Sequence, residues 1–204
     1  MIICAGECDF SRADISETDF IICADGGLHY ALEMAIIPDV VIGDFDSFSG
    51  DLPKDAIILD RHKDDTDAEA ALKEALQRGF SDIVFLAAAG GRIDHLLGNI
   101  GLLFFARQKG VCAKMLTADC VISVVSGCEK IDAAAGDTVS FIPIGEAHGV
   151  TLRGFEYLTD NADFSFSKTL GISNVAHDNP SVSIEQGAMI CVVGGRRSIT
   201  GNNG

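Results

Sequence analysis

Six short runs of consecutive apolar residues in the first part of the chain constrain its fold more than any other feature. They are Met1–Ala5, Phe20–Ala24, Val40–Ile42, Ala56–Leu59, Ile83–Ala87 and Ala113–Leu116. Their hydrophobicity is continuous rather than alternating, which is typical of strands buried on both faces of a parallel sheet. Parallel strands need crossover connections, usually helices, and helical patterns lie between these runs. The sequence therefore predicts an α/β domain with a mostly parallel sheet.

Two helices are predicted between the later runs. The first spans Ala68 to Arg78, and its apolar face is made of Ala68, Ala71, Leu72, Ala75 and Leu76. Thr66 and Glu69 form a capping-box pattern at its start, and Gly79 is a stop signal at its end. The second helix spans Asp94 to Lys109, with Leu96, Leu97, Ile100 and Phe104 expected to face inward.

Beyond about residue 121 the pattern changes to short strand-like pieces without a long helix. These pieces are 138–142, 150–152, 164–166, 182–184 and 189–193, and Glu185-Gln186-Gly187 is predicted to be a hairpin turn between the last two. We therefore predict an α/β catalytic domain over 1–125 and a smaller all-β, sandwich-like domain over 126–204.

The formal net charge of -15 for 204 residues argues against nucleic acid or an anionic membrane as the main partner, because both require a basic face. The seven cysteines include no C-x-x-C pair, and several lie in strand-like runs. Such thiols are expected to be buried, reduced and structural. The chain starts in a strand-like segment with no basic region before it, which favours a cytoplasmic location.

Acidic residues follow the third apolar run in the segment Gly43-Asp44-Phe45-Asp46-Ser47. On an extended backbone Asp44 and Asp46 would point to the same side and converge on one ligand. A second group, Asp64, Asp65 and Asp67, precedes the first predicted helix. Each group also has a simpler interpretation, as a solvated turn or as helix-capping charge, and Asp65 is the residue we assign to capping. Taken together, the oxygen ligands favour Mg²⁺ and a metal-dependent phosphoryl-transfer enzyme.

Paired glycines follow two further strands, in Asp25-Gly26-Gly27 and in Gly90-Gly91-Arg92. Such pairs allow close approach of a ligand to the backbone, although a tight strand-to-helix turn explains either pair alone. Arg92 is suited to bind phosphate. With Asp94 as the N-cap, Arg92 would lie in the loop and reach the ligand, which is the geometry we favour. With a helix starting at Arg92, the side chains of Arg92, His95 and Asn99 would share one stripe of the helix. His95 and Asn99 are equally suited to hydrogen bonds with neighbouring loops.

These segments, in this order, resemble the thiamine pyrophosphokinase (thiamine diphosphokinase) family across nearly the whole chain. The matching residues are Ala24–Gly27, Gly43–Ser47, Lys63-Asp64 with Thr66-Asp67, Gly90–Arg92 with Asp94-His95, and Gly171 with Ser173-Asn174. The run Gly43–Ser47 combined with Thr66-Asp67 and Gly91-Arg92 is specific, whereas each segment alone is not.

The resemblance implies transfer of the terminal diphosphate of ATP to the hydroxyethyl oxygen of thiamine, with release of AMP. It implies that Asp44, Asp46 and Asp67 hold Mg²⁺ and that Arg92 contacts phosphate. Asp25, Gly26, Gly27, Asp64, Thr66 and Asp94 would line the same ATP-binding cleft. Asp94 or Asp64 would accept or orient the hydroxyl proton. A homodimer is implied, in which Ser173 and Asn174 help to bind thiamine.

This chain has no tryptophan, although family members often place one soon after the Ser-Asn pair. Either His177 or one of Phe164 and Phe166 stacks on the substrate ring instead, or the acceptor differs. Three alternative functions stay open at this point. One is a pyrophosphokinase for another alcohol, such as a hydroxymethyl pterin. Another is a metal-dependent phosphatase that uses Asp44 as a nucleophile, although that class usually places its D-x-D after the first strand. The third is a non-catalytic sensor that binds thiamine or nucleotide without turnover.

Overall fold

The computed structural model describes residues 1–7, 9–16, 19–46, 50, 52–60 and 64–195. The chain divides into two compact units, Met1–Ala118 and Asp119–Arg196. The domain boundary expected from the sequence, at 125/126, falls inside a strand that runs over Cys120–Lys130 and that the structure assigns whole to the second unit.

The first unit contains a six-stranded sheet in which every pair of neighbouring strands is parallel. The strands are β1 (Ile2–Ile3), β2 (Ile22–Ala24), β3 (Val40–Gly43), β4 (Ile57–Ile58), β5 (Asp82–Leu86) and β6 (Cys112–Leu116), in the order β4-β3-β2-β1-β5-β6. Each of the six predicted strands is present, and the parallel arrangement is confirmed. The central strands are buried because helices pack against the sheet, as in other α/β folds.

Three α-helices connect these strands: α1 (Gly27–Glu33), α2 (Asp67–Gln77) and α3 (Ile93–Gln108). A short 3₁₀ helix covers Phe10–Arg12. Helix α2 confirms its sequence prediction closely. Thr66 is its N-cap and accepts a hydrogen bond from the Glu69 amide at 3.2 Å, and Ala71, Leu72 and Ala75 are buried.

Helix α3 differs from its prediction in both its start and its inward face. Its N-cap is Arg92 rather than Asp94, and the residues it buries are Leu102, Leu103 and Ala106. Leu97, expected to face inward, is 64% exposed. The helix is apolar on more than one side, so periodicity alone could not select the buried face.

The strand order reverses at β1. The chain moves outward through β2, β3 and β4 on one side of β1, and then returns to place β5 and β6 on the other side. In open α/β sheets such a switch point leaves a crevice at the carboxyl ends of the strands, where ligands bind. The fold thus predicts a ligand site beside the ends of β1 and β5.

The second unit is strand-rich and antiparallel, which confirms the predicted all-β domain. Its strands are β7 (Cys120–Lys130), β8 (Thr138–Pro143), β9 (Glu146–Phe155), β10 (Thr159–Ser165) and β11 (Asn174–Gly194). β11 pairs with β7, β8 and β9, and β9 also pairs with β10. The core is built around Phe141, Phe155 and Phe164, and the first two rings meet edge to face at 5.5 Å.

The predicted hairpin at Glu185-Gln186-Gly187 is wrong, because β11 is a single strand through this segment. Ile184 and Met189 lie opposite Gly127 and Val125 of the same partner strand, so the chain continues in one direction with a bulge between them. Gly187 has φ +100°, and a Cβ there would lie 2.5 Å from the Glu146 carbonyl oxygen. The glycine therefore serves a bulge rather than a reversal.

Among the described residues, none of the helices combines the length and the apolar character needed to cross a bilayer.

Candidate active site

A cleft of about 440 Å³ opens at the carboxyl ends of β1, β2 and β5, at the switch point of the sheet. It is lined by the loops after these three strands and by the N-terminal turns of α2 and α3. Of the residues predicted from the sequence, those in the lining are Asp25, Thr66, Asp67, Gly90, Gly91, Arg92, His95 and Asn99. The fold therefore brings segments from distant parts of the sequence into one site.

Asp25 lies in the cleft lining directly after β2 and connects the cleft to the loop after β3. Its backbone has φ +45°, and its amide donates to the Ile42 carbonyl at 2.8 Å. Its carboxylate oxygen Oδ1 accepts a hydrogen bond from the Phe45 amide at 3.2 Å. The carboxylate is therefore tied to the Asp44-Phe45-Asp46 segment through the residue between the two acids.

The expectation that Asp44 and Asp46 project from an extended backbone is wrong. β3 ends at Gly43, and Phe45 has φ +52° in the left-handed region. The Asp46 amide donates to Asp44 Oδ1 at 3.2 Å, which closes a tight turn. The Phe45 ring is buried, whereas Asp46 is exposed and Asp44 is partly exposed. The two acids are thus presented by a turn, and neither is in the cleft lining. Ser47 of this motif lies outside the described residues.

Negative charge is concentrated around Asp25. Burial raises the pKa of its carboxyl above the ordinary range, and the charges of Asp67 and Asp44 raise it further. Hydrogen bonds from the Gly26 and Phe45 amides act in the opposite direction. Among the described residues, no group of three or more His, Cys, Asp or Glu side chains is arranged so that it could hold a metal ion. The carboxylates are close enough to repel one another without forming a ligand cluster.

The acids before α2 separate into different roles. Asp67 is the first residue of the helix and lies in the cleft lining. Asp65 instead accepts from Lys73 Nζ at 2.7 Å, consistent with its assignment away from the site. Asp64 is exposed and is not in the lining, and Lys63 of the same motif lies outside the described residues. Of the three acids, only Asp67 is brought to the cleft.

Arg92 lies at the mouth of the cleft and is paired with Asp94. The guanidinium contacts both carboxylate oxygens, at 3.1 Å from Nε and 2.5 Å from Nη2, and both side chains are largely exposed. The arginine lowers the pKa of Asp94 to about 2. This low pKa describes Asp94 while the Arg92 guanidinium contacts it.

The start of α3 supports the alternative geometry considered from the sequence, in which Arg92, His95 and Asn99 share one stripe of the helix. Arg92, His95 and Asn99 all line the cleft, as expected for a helix that begins next to Arg92. Asn99 Nδ2 donates to the Ala88 carbonyl at 2.8 Å and thereby fixes the loop after β5. Asn99 is therefore one of the polar residues that bond a neighbouring loop.

The two glycine pairs are used differently. A Cβ on Gly27 would lie 2.0 Å from the Ile3 carbonyl oxygen, and one on Gly26 would lie 2.9 Å from Ala5 Cβ. This pair serves close packing of α1 against β1, and neither glycine lines the cleft. Gly91, in contrast, has φ +63° and nothing within 4 Å of a built Cβ. Gly90 of the same pair lies close to Glu7, because a Cβ on Gly90 would be 2.6 Å from Glu7 Cβ, so the open space is beside Gly91.

The sequence interpretation missed several lining residues, among them Tyr30 and Cys4. Tyr30 of α1 donates its hydroxyl to the Gly6 carbonyl at 2.8 Å, which supports the loop after β1. Cys4 directly follows β1 in the lining, and burial raises its pKa to about 12, so it stays a protonated thiol. No local motif marks Tyr30, because its role depends on a contact 24 residues away in the sequence.

The residues predicted for acceptor binding lie in the second unit. Ser173 is exposed, has φ +57°, and its amide donates to Ser140 Oγ at 3.0 Å. His177 is exposed. Asn174 is only 2% exposed, and its side chain bonds to the Tyr157 amide at 2.9 Å and the Tyr157 carbonyl at 2.7 Å. In this structure Asn174 is a structural residue that joins β11 to the turn after β9.

Of the aromatic residues considered as replacements for a stacking tryptophan, Phe164 is buried in the core of the second unit and is unsuited to stacking on a ligand. Phe166 is 68% exposed. His177 and Phe166 are the two of these candidates whose side chains are accessible.

Comparison with known proteins gives one consistent family. The family model described as the thiamin pyrophosphokinase catalytic domain matches residues 12–115, and that described as its vitamin B1 binding domain matches residues 128–189. The thiamine pyrophosphokinase of Bacillus subtilis (strain 168) is 32% identical over 180 residues, which cover 82% of this chain and 84% of that protein.

Solved structures agree with this result. The crystal structure of the Bacillus subtilis thiamine pyrophosphokinase superposes with a TM-score of 0.82 at 26% identity, covering 96% of this chain and 99% of that one. The thiamin pyrophosphokinase of Geobacillus thermodenitrificans gives a TM-score of 0.80 at 28% identity, covering 98% of this chain and 100% of that one.

Proposed function

The chain belongs to the thiamin pyrophosphokinase family, and from this membership we propose that it transfers the diphosphate of ATP to thiamine. The observation that carries the proposal is the cleft at the switch point of the parallel sheet. It combines Asp25 and Asp67 with Arg92 and with Gly91, whose backbone has open space beside it. These are the parts that phosphoryl transfer requires, since it depends on positioning and on neutralisation of charge.

In the proposed reaction the hydroxyethyl oxygen of thiamine forms a bond to the β-phosphorus of ATP. The bond from that phosphorus to the oxygen bridging the α-phosphate breaks, and AMP leaves with the bridging oxygen. The hydroxyl proton passes to a carboxylate or to water. Arg92 would exchange its bond to Asp94 for a phosphate oxygen, because its guanidinium is exposed and binds anions with two parallel N–H groups.

We propose Mg²⁺ as the cation of this site, with Asp44, Asp46 and Asp67 as the residues that hold it. When bound, Mg²⁺ neutralises charge on phosphate oxygens. The oxygen-only donors suit this hard ion. Burial raises the pKa of Asp25, and the charges of Asp67 and Asp44, which a cation would offset, raise it further. Magnesium usually binds through one or two carboxylates together with substrate phosphates and water, so a complete protein ligand cluster is not required beforehand.

Ser173 and His177 are our candidates for contact with thiamine, because both are exposed in the unit matched by the vitamin B1 binding domain. Asn174 would act indirectly, by fixing the backbone next to Ser173. We also propose a cytoplasmic location. The cysteines Cys4, Cys23, Cys112, Cys128 and Cys191 are free thiols, which suits a reducing compartment.

The proposed reaction is tested by incubating the purified protein with ATP, Mg²⁺ and thiamine and separating nucleotides and thiamine esters by chromatography. Equal amounts of AMP and thiamine diphosphate are expected. ADP with thiamine monophosphate would show transfer of a single phosphoryl group instead. A folded protein that forms no thiamine ester with any tested metal would contradict the proposal.

We further propose a homodimer, which exposed apolar side chains on α3 support. Ile93 is 74% exposed and Leu97 is 64% exposed, an unusual exposure for neighbouring large aliphatic residues on one helix face. Leu97→Glu is expected to shift the molar mass measured by light scattering from that of two chains to that of one. Glu33→Gln, at an exposed position of α1, is the control that should leave the mass unchanged.

A further inference from the structure

The turn that carries Asp44 and Asp46 has an unfavourable backbone conformation that needs outside support. Phe45 has φ +52°, a region that a bulky residue rarely occupies. Its conformation decides how the acids on either side are presented, because they are its immediate neighbours. The burial of the Phe45 ring anchors one side of this residue. Its backbone amide requires a partner as well.

Asp25 supplies that partner from a different loop. Its Oδ1 accepts from the Phe45 amide at 3.2 Å, and its own amide donates to Ile42 at 2.8 Å, just before β3 ends. The two loops also touch through their backbones. A Cβ on Gly43 would lie 2.9 Å from Asp25 Cα and 3.0 Å from Asp25 Cβ. Asp25 is thus held against the β3 loop by its backbone, and its side chain reaches the next turn.

We propose that Asp25 is a positioning residue, whose side-chain oxygen holds Phe45 in the left-handed conformation that presents Asp44 and Asp46. The important property in this role is a hydrogen-bond acceptor at the position of Oδ1, rather than a negative charge. The importance of Asp44 and Asp46 for catalysis rests on the proposed function, whereas the link between Asp25 and Phe45 does not.

Two substitutions separate the acceptor from the charge. Asp25→Asn keeps a carbonyl oxygen in place, and asparagine tolerates φ +45° better than most residues. Asp25→Gly deletes the side chain and also fits that φ, so it does not strain the backbone as alanine would. Asp39→Ala is the matched control. Asp39 also accepts a hydrogen bond from a backbone amide, that of Ile21 directly before β2, at 2.8 Å, but Asp39 precedes β3 and does not line the cleft.

The first measurement is amide hydrogen exchange at Phe45 by NMR, which requires no turnover. We expect Asp25→Gly to speed exchange at Phe45 by at least about tenfold, and Asp25→Asn to change it by less than about threefold. Asp39→Ala should leave Phe45 unchanged and instead speed exchange at Ile21. Equal exchange at Phe45 in wild type and Asp25→Gly would overturn the proposal, as would equally fast exchange in both Asp25 variants.

The second measurement is turnover with ATP and thiamine as a function of Mg²⁺ concentration. Asp25→Asn should lower turnover because it removes a charge from the cleft, and Asp25→Gly should lower it at least about tenfold further while raising the Mg²⁺ requirement. Equal losses in the two variants, with Phe45 still protected in Asp25→Asn, would make the carboxylate charge essential and overturn the proposal. If wild-type protein forms no thiamine diphosphate, the proposed function fails, and the exchange comparison still decides the role of Asp25.

Discussion

Each unit contains a side chain that bonds to the backbone of a neighbouring loop, and the two contacts differ in charge and in burial. Asn174 in the second unit is neutral and almost completely buried, and it satisfies both the amide and the carbonyl of Tyr157. Asp25 in the first unit is partly exposed and makes a longer bond to Phe45. Burial raises its pKa, and the nearby carboxylates of Asp67 and Asp44 raise it further. The Asn174 contact is the kind that selection for stability alone would favour. The Asp25 contact carries an electrostatic cost, which is typical of a functional site.

The largest expected effect is on turnover, and it concerns Asp44 and Asp46, the acids on either side of the contact between Asp25 and Phe45. Asp46→Asn should lower Mg²⁺-dependent turnover by more than about 100-fold while leaving the circular dichroism spectrum unchanged, because it removes a proposed cation ligand without changing the side-chain shape. Asp65→Asn is the matched control, since Asp65 pairs with Lys73 outside the cleft, and its effect should be within about threefold. Native-like Asp46→Asn protein with full turnover would remove Asp46 from the site.

The contact between the Asn174 side chain and the Tyr157 backbone should show the largest effect on the free energy of unfolding. Asn174→Ala would leave the amide and the carbonyl of Tyr157 without their buried partners, so we expect a loss of about 2–4 kcal/mol in the free energy of unfolding in urea. Ser140→Ala removes only one acceptor, for the exposed Ser173 amide, and should cost less than about 1 kcal/mol. Equal losses in the two variants would mean that the Asn174 contact is no more important than a surface bond.

A smaller loss of stability is expected when the backbone contact beside Asp25 is disturbed. Gly43→Ala places a methyl group 2.9 Å from Asp25 Cα, so it should cost about 1–3 kcal/mol in unfolding free energy and also reduce turnover. Gly101→Ala in α3 is the control, because nothing lies within 4 Å of its built Cβ and alanine favours a helix. A neutral Gly43→Ala would show that the two loops do not constrain each other.

The smallest expected effect is a pH dependence of stability in the metal-free protein. The pKa of Asp25 is raised in the folded state, so the folded protein binds this proton more tightly than the unfolded chain does. Its contribution to unfolding free energy is therefore greatest below the ordinary aspartate pKa and is lost as pH rises through the folded pKa. Asp25→Asn should remove this loss and be slightly more stable than wild type at pH 7 in thermal unfolding. A less stable Asp25→Asn protein would indicate that the hydrogen bonds from the Gly26 and Phe45 amides to the Asp25 carboxylate outweigh its burial and its repulsion by Asp67 and Asp44.

The sequence predicted the elements of both units better than their local geometry. All six parallel strands and helix α2 are where their apolar patterns placed them, because buried strands and capped helices have strong local signals. The bulge in β11 was mistaken for a hairpin because a glycine with positive φ serves either structure, and only the pairing with β7 distinguishes them.

The candidate site was predicted by residue type but not by orientation. Asp25, Asp67 and Arg92 reach the cleft as expected, whereas Asp44 and Asp46 are presented by a turn around Phe45 rather than by an extended strand. The left-handed conformation of Phe45 depends on contacts with a distant loop, which no local pattern reveals. The same holds for Asn174, whose buried partner Tyr157 lies 17 residues away in the sequence.

The position of β11 in the chain has a consequence for how this protein is synthesised. β11 is the last strand of the second unit, yet the pairings of β7, β8 and β9 with it span most of that unit. During translation these strands emerge first and must wait for residues 174–194 before those pairings form. The first unit, whose strands all precede residue 118, is free to fold while the ribosome is still elongating. A ribosome that stalls before Asn174 would expose unpaired strand edges, the form in which a β-rich nascent chain most readily aggregates.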